Sequence, residues 1–176
     1  MKKILTIGGS NSPTSINKAF ATFTVGQLND IEANIIDLND FEMPIYHAGR
    51  EEESGQPDLA QKFLDEISGA DGIIISLAEH NASYSVAFKN VLDWASRVNG
   101  KVWQEKPMLL MATSPGGRGG LSVLEAAAGR FPRMGGNIVA QFSLPSFYDN
   151  LSENGIVDEE LKKQFEEQLE KFNKAI

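Results

Sequence analysis

Five short apolar runs punctuate the chain, with helically spaced apolar positions between them. The runs are KILTI from Lys3 to Ile7, ANIIDL from Ala33 to Leu38, GIIISL from Gly72 to Leu77, PMLLMAT from Pro107 to Thr113 and NIVAQF from Asn137 to Phe142. The middle runs are continuously apolar rather than alternating, which is the pattern of parallel strands covered on both faces. Helical spacing recurs at Ile16, Ala19, Phe20 and Phe23, at Leu59, Phe63 and Ile67, at Phe88, Val91, Leu92 and Ala95, and at Leu121, Leu124, Ala128 and Phe131. A last helix carries Leu161, Phe165, Leu169 and Phe172 on one face and its charges on the other. Five strand–helix units without a break in composition predict one three-layer α/β domain over residues 1–176. One irregular segment stands out, Asn39 to Pro57, and a loop of that length is usually functional or mobile.

In such sheets ligands bind beyond the carboxyl ends of the strands. Three of those ends carry unusual loops: Gly8 to Asn17 (GGSNSPTSIN), Ala78 to Ser85 (AEHNASYS) and Ser114 to Gly120 (SPGGRGG). A small, hydroxyl-rich strand-to-helix junction holds an anion well, because backbone N–H groups and the positive helix end point outward. The competing account is an ordinary helix start, with Ser12 as N-cap and Pro13 at the first helical position. In the second loop Asn81 and Ser83 also suit a plain turn. In the third, four glycines in seven residues permit close backbone approach to a flat ligand, or simply a flexible connection. The clustering of all three at one sheet edge favours a binding site.

Composition narrows the chemistry. The formal net charge of −8 disfavours nucleic acid and anionic membranes as partners. There is no cysteine, so disulfides and thiolate nucleophiles are excluded, and His47 and His80 are the only imidazoles, which argues against a metal centre. The opening Met1-Lys2-Lys3 is followed by an apolar run that ends at Ile7, too short for a signal peptide, so a cytoplasmic protein is expected. Sharper motifs fail: the dinucleotide fingerprint lacks its later glycines, no G-K-[ST] follows a glycine loop, and no G-x-S-x-G is present. Asp37, at the end of the second run, mimics a ribose-binding acid only weakly. With no convincing nucleophile or base, the chemistry is expected to belong to a cofactor.

Together the three loops resemble those of the NADPH-dependent FMN reductase family, which has a flavodoxin-like fold. The first family loop, G-S-L-R-x-x-S-x-N, is matched by Gly9, Ser10, Ser15 and Asn17, while Asn11 and Ser12 replace leucine and arginine. The second, P-E-Y-N-x-S-x-P-x-x-L-K-N-x-x-D-W, is matched by Glu79, Asn81, Ser83, Lys89, Asn90, Asp93 and Trp94, with departures at Ala78, His80, Ser85 and Phe88. The third, S-P-G-G-x-G-G, is met in full from Ser114 to Gly120. Asp37 to Tyr46 also resembles the family's segment after the second strand.

The resemblance implies a three-layer α/β/α sandwich with a five-stranded parallel sheet in the order 2-1-3-4-5. It implies FMN as cofactor, NADPH or NADH as electron donor, and ping-pong hydride transfer through the flavin to a small acceptor such as a quinone or flavin. Gly9, Ser10, Ser12, Ser15, Ile16 and Asn17 would cradle the phosphate. Ala78, Glu79, His80 and Asn81 would border the ring, and Ser114, Pro115, Gly116, Gly117, Arg118 and Gly119 would close over its other edge. No side chain is expected to act as acid or base, although His80, where the family has tyrosine, adds a titratable donor. The loss of arginine at Ser12 removes a cation from the phosphate loop. A homodimer or homotetramer is expected, with Tyr84, Trp94 and Trp103 at its interface. Met43 to Pro57, with Glu51, Glu52 and Glu53, reads either as a mobile acidic gate at the site rim or as a merely solvated excursion. The alternatives are a non-enzymatic flavodoxin-like electron carrier and a flavin-binding sensor.

Overall fold

The computed structural model describes all 176 residues. Strands β1 (Lys2–Gly9), β2 (Ile31–Ile36), β3 (Gly72–Leu77), β6 (Pro107–Thr113) and β7 (Asn137–Leu144) form one parallel sheet in the order β2-β1-β3-β6-β7. That is the expected 2-1-3-4-5 order. The numbering jumps because a small hairpin, β4 (Glu79–His80) and β5 (Ser83–Tyr84), follows β3. Helices α1 (Ile16–Val25) and α7 (Glu159–Ala175) cover one face, where Phe20, Phe165 and Phe172 pack on Ile4, Ile74, Leu109 and Met111. On the other face α3 (Asp58–Ser68), α4 (Val86–Val98) and α5 (Leu121–Arg130) pack on Leu5, Ile7, Ile73, Ile75 and Leu110. Successive strand residues thus feed opposite cores, which explains why the inner runs are apolar at nearly every position, with Thr6, Ser76 and Thr113 as buried exceptions.

Local chemistry moves several boundaries. β2 ends at Ile36, two residues short of the apolar run, because the Asp37 carboxylate accepts from Asn39 N–H and caps a 3₁₀ turn over Leu38–Phe41. The segment expected to be irregular is partly regular. It contains that turn and helix α2 (Ala48–Ser54), whose N-cap is His47 and whose end is Gly55 at φ 70°. Its middle is tied to α4: Asn90 Nδ2 donates to Met43 O, Tyr46 N–H donates to Asn90 Oδ1, and Trp94 Nε1 donates to Pro44 O. Tyr46 also meets Trp94 edge-on, with ring centroids 5.0 Å apart.

The tryptophans are core, not interface. Trp94 and Trp103 are both fully buried, and Trp103 packs on Phe131 with centroids 4.6 Å apart. Tyr84 is half-buried and stacks on Phe131; its hydroxyl has no partner, and burial pushes its phenol up. These rings close the α4–α5 side of the sheet, which the sequence pattern could not separate from an exposed aromatic face.

After β7 the chain forms the short helix α6 (Phe147–Asn150), a hairpin of β8 (Leu151–Ser152) and β9 (Gly155–Ile156), and then α7. No helix is long and apolar enough to cross a membrane.

Candidate functional site

The loops after β1, β3 and β6 meet in one cleft of about 280 Å³ at the carboxyl edge of the sheet. From the first loop it takes Ser10, Ser12, Thr14, Ser15, Ile16 and Asn17. From the second and third come Ala78, Glu79, His80, Thr113, Ser114 and Pro115, and the far rim is Tyr148. The cleft lies at the switch point between β1 and β3, where the chain leaves toward opposite faces of the sheet.

The first loop is a cascade of hydroxyl-anchored turns. Ser10 Oγ accepts from Ser12 N–H, Ser12 Oγ accepts from Thr14 N–H, and Ser15 Oγ accepts from Lys18 N–H. Ser15 is therefore the N-cap of α1, and Ser12 opens the preceding turn, so the start expected at Ser12 and Pro13 shifts by one turn. Three serines at turn spacing are equally able to cap, and only the backbone path selects one. The N–H groups of Ile16 and Asn17, at the first helical positions, have no partner within the chain. With the hydroxyl protons of Ser10 and Ser15 they form a neutral donor set at a positive helix end, which fits a phosphate.

No cation joins that set. Lys18 is ion-paired with Asp37, and this bond, with the Asn39 N–H, holds the Asp37 carboxyl down to about 2. The folded value lies below the ordinary one, so the tie contributes above about pH 4 and is lost as pH falls toward 2. Both partners are about one-third exposed, which keeps the effect small. Asp37 is thus spent on the fold rather than on a ribose.

Asn17 departs from its expected role. Its side chain is buried, with Nδ2 donating to Thr113 O (3.1 Å) and Oδ1 accepting from Thr113 N–H (3.0 Å) and Ser76 Oγ (2.7 Å). The amide thus ties α1 to the ends of β3 and β6, and only its backbone N–H faces a ligand. Glu79 is likewise a structural group: Oε2 accepts from Val123 N–H at 3.0 Å, capping α5, whose N-cap Gly120 brings no side chain.

Six expected residues do not line the cleft. Gly9 is buried at the end of β1, and Asn81 sits at the exposed tip of the β4–β5 hairpin. Gly116 and Gly117 are exposed, Arg118 donates to Ser122 Oγ, and Gly119 is pressed against Ser143 and Leu144. The glycine loop is held in place nonetheless, since Ser146 N–H donates to Gly116 O and Phe147 N–H to Ser114 O. That stitching sets Tyr148, 71% exposed, on the rim. The sequence pattern passed over Tyr148, although its place just beyond a strand's carboxyl end was the available signal.

The hairpin tip carries strain. Asn81 (φ 50°) and Ala82 (φ 60°) both occupy the left-handed region; asparagine tolerates it and alanine does not. Ala82→Gly is expected to stabilise the protein by about 0.5–1 kcal/mol, read as a higher urea midpoint at unchanged m-value.

Comparison with known proteins agrees with this geometry. A family model described as NADPH-dependent FMN reductase matches residues 2–149. A 2-hydroxy-1,4-benzoquinone reductase of a Burkholderia species is 34% identical over 119 residues, 66% of this chain and 63% of that protein. An NADPH:quinone oxidoreductase of Arabidopsis thaliana is 30% identical over 124 residues, covering 68% of this chain and 62% of the relative. The chain thus spans a little under two thirds of the length of these curated relatives. Among solved structures, the flavoenzyme NAD(P)H:(acceptor) oxidoreductase FerB from Paracoccus denitrificans superposes with a TM-score of 0.72 over 99% of both chains, at 21% identity. An FMN-dependent NADH-azoreductase from Bacillus anthracis, solved with FMN, gives a TM-score of 0.60 over 99% of both chains, at 14% identity. At these identities the two structures speak for the fold.

Proposed function

The chain belongs to the NADPH-dependent FMN reductase family, and on that premise we propose that it binds FMN and uses NADPH or NADH to reduce a small acceptor of the quinone or flavin type. The observation that carries this reading is the donor set of the first loop, which opens on the same cleft as the loops after β3 and β6. Ser10, Ser12, Ser15 and the N–H groups of Ile16 and Asn17 would hold the phosphate. Ala78, Glu79 and His80 would line one side of the ring and Ser114 and Pro115 its other edge, with Asn81 and Gly116 to Gly119 shaping those loops from outside the cleft. When bound, FMN supplies two-electron transfer between a nicotinamide nucleotide and an acceptor. The chain's own part is to bind and orient: the capped helices and the stitched glycine loop preorganise the cleft before a ligand arrives.

Steady-state oxidation of NADPH with menadione as acceptor tests the activity, and parallel double-reciprocal lines are expected. A protein that binds FMN but does not turn over would instead be an electron carrier or sensor, readings that the family match disfavours. A cytoplasmic homodimer or homotetramer completes the proposal, and light scattering tests the assembly.

Ser15 provides a sharper test of the phosphate loop. Ser15→Ala removes one hydroxyl donor, and FMN binding should weaken by about 1–2 kcal/mol. It also removes the α1 cap, which should lower stability by about 1 kcal/mol. Titration of flavin-free protein with FMN separates the two effects, and equal affinities for variant and wild type would refute the role.

A further inference from the structure

A single phenol lines the cofactor cleft, and it belongs to none of the three loops. Tyr148 lies just past the carboxyl end of β7, on α6, and is 71% exposed. The other two tyrosines are placed elsewhere: Tyr46 Oη donates to the Glu51 carboxylate, and Tyr84 Oη is buried where its ring packs on Phe88 and Phe131. The turn that presents Tyr148 is over-determined. Ser146 sits in the left-handed region at φ 45°, a conformation unfavourable for a residue with a Cβ. It is held there because its N–H donates to Gly116 O, its carbonyl accepts from Asp149 and Asn150 N–H, and Asn150 Nδ2 donates to Pro145 O. Phe147 is buried against the sheet and braces the Tyr148 ring edge-on, with centroids 5.3 Å apart. A strained turn kept in place to hold an exposed ring at a cleft rim points to a ligand contact.

We propose that Tyr148 is a specificity-determining residue of the cleft: its phenol donates to the phosphate and makes the protein select phosphorylated flavin over riboflavin. The proposal rests on the reading of this cleft as the FMN site. Connectivity is the first argument. Asn17, in the first turn of α1, bonds Thr113 at the end of β6, and the next residue, Ser114, accepts from Phe147 N–H. Tyr148 thus follows a strut that starts at the α1 N-terminus, where the free N–H groups of Ile16 and Asn17 lie. Electrostatics is the second. Lys18 is paired with Asp37 and Arg118 donates to Ser122, so the lining holds no lysine or arginine. An anion there depends on neutral donors, and each bond to it is charge-assisted and correspondingly strong. The first loop supplies such donors from one wall, and Tyr148 adds one from the far rim.

One substitution and one spectrum test this. Tyr148→Phe keeps the ring and removes only the hydroxyl. In titrations of flavin-free protein it should raise the FMN dissociation constant about tenfold, the loss of one hydrogen bond to a charged group. The riboflavin dissociation constant should stay within twofold of wild type. The second measurement needs no flavin. Protein labelled with carbon-13 at tyrosine Cζ gives three phenol resonances, and that of Tyr148 is the one absent from Tyr148→Phe. Inorganic phosphate should shift it saturably and leave those of Tyr46 and Tyr84 in place. An FMN affinity unchanged by the substitution, an equal loss for FMN and riboflavin, or a Tyr148 resonance that phosphate does not move would each overturn the proposal. If wild-type protein binds no FMN while phosphate still moves Tyr148, the cofactor reading falls and the phosphate contact stands.

Discussion

Replacing Gly8 with alanine is expected to disrupt both stability and cofactor binding, with a cost of about 3 kcal/mol or more. A Cβ at Gly8 would lie 2.5 Å from Lys18 Cα and 2.7 Å from both Lys18 N and Cβ. Two of those three atoms are helix backbone, so no side-chain rotation relieves the clash, and α1 must lift from β1. Ordinary overpacking costs about 1–3 kcal/mol, and a rigid backbone contact belongs at the top of that range or beyond it. The displacement would also move the N–H groups of Ile16 and Asn17, so FMN affinity should fall together with the urea midpoint. A Gly8→Ala variant of near wild-type stability would show that α1 is less tightly seated than described.

Asn17→Ala should be comparably severe for a different reason. It strands Thr113 N–H, Thr113 O and Ser76 Oγ in the interior, and each unsatisfied group costs about 1–3 kcal/mol. Partial relaxation leaves an expected loss of about 3 kcal/mol, measured by urea denaturation. The comparison with Ser15→Ala is informative. If Asn17 acted mainly on a ligand, its replacement would weaken FMN binding and spare the unliganded protein. Here the unliganded protein should suffer most.

Much of this molecule was legible in its sequence. The sheet and its two covered faces follow from five apolar runs, because burial on both sides leaves few polar positions in the central strands. The three loops were legible because each leaves a strand at its carboxyl end. What escaped reading was the division of labour within them. Asn17 and Glu79 carry ligand-like side chains, yet one joins three elements and the other caps α5, and those partners lie 96 and 44 residues away. Helix α2 was missed because AGREEES has no buried residue and hence no periodicity. The buried tryptophans were misplaced for the opposite reason: an apolar ring looks the same in sequence whether it meets the core or a second subunit. Tyr148 follows the fifth apolar run, in a segment without the glycines and with fewer hydroxyls than the first loop, so only its place beyond the strand marked it.

The central claim is that the cleft between the β1, β3 and β6 loops holds a flavin that a nicotinamide nucleotide can reduce. Flavin-free protein titrated with FMN and then mixed anaerobically with NADPH tests it most directly. The expected result is saturable binding that Ser15→Ala weakens, followed by bleaching of the visible flavin band and its return when menadione is added. Failure to bind FMN, or a bound flavin that keeps its colour under excess NADPH and excess NADH, would contradict the account.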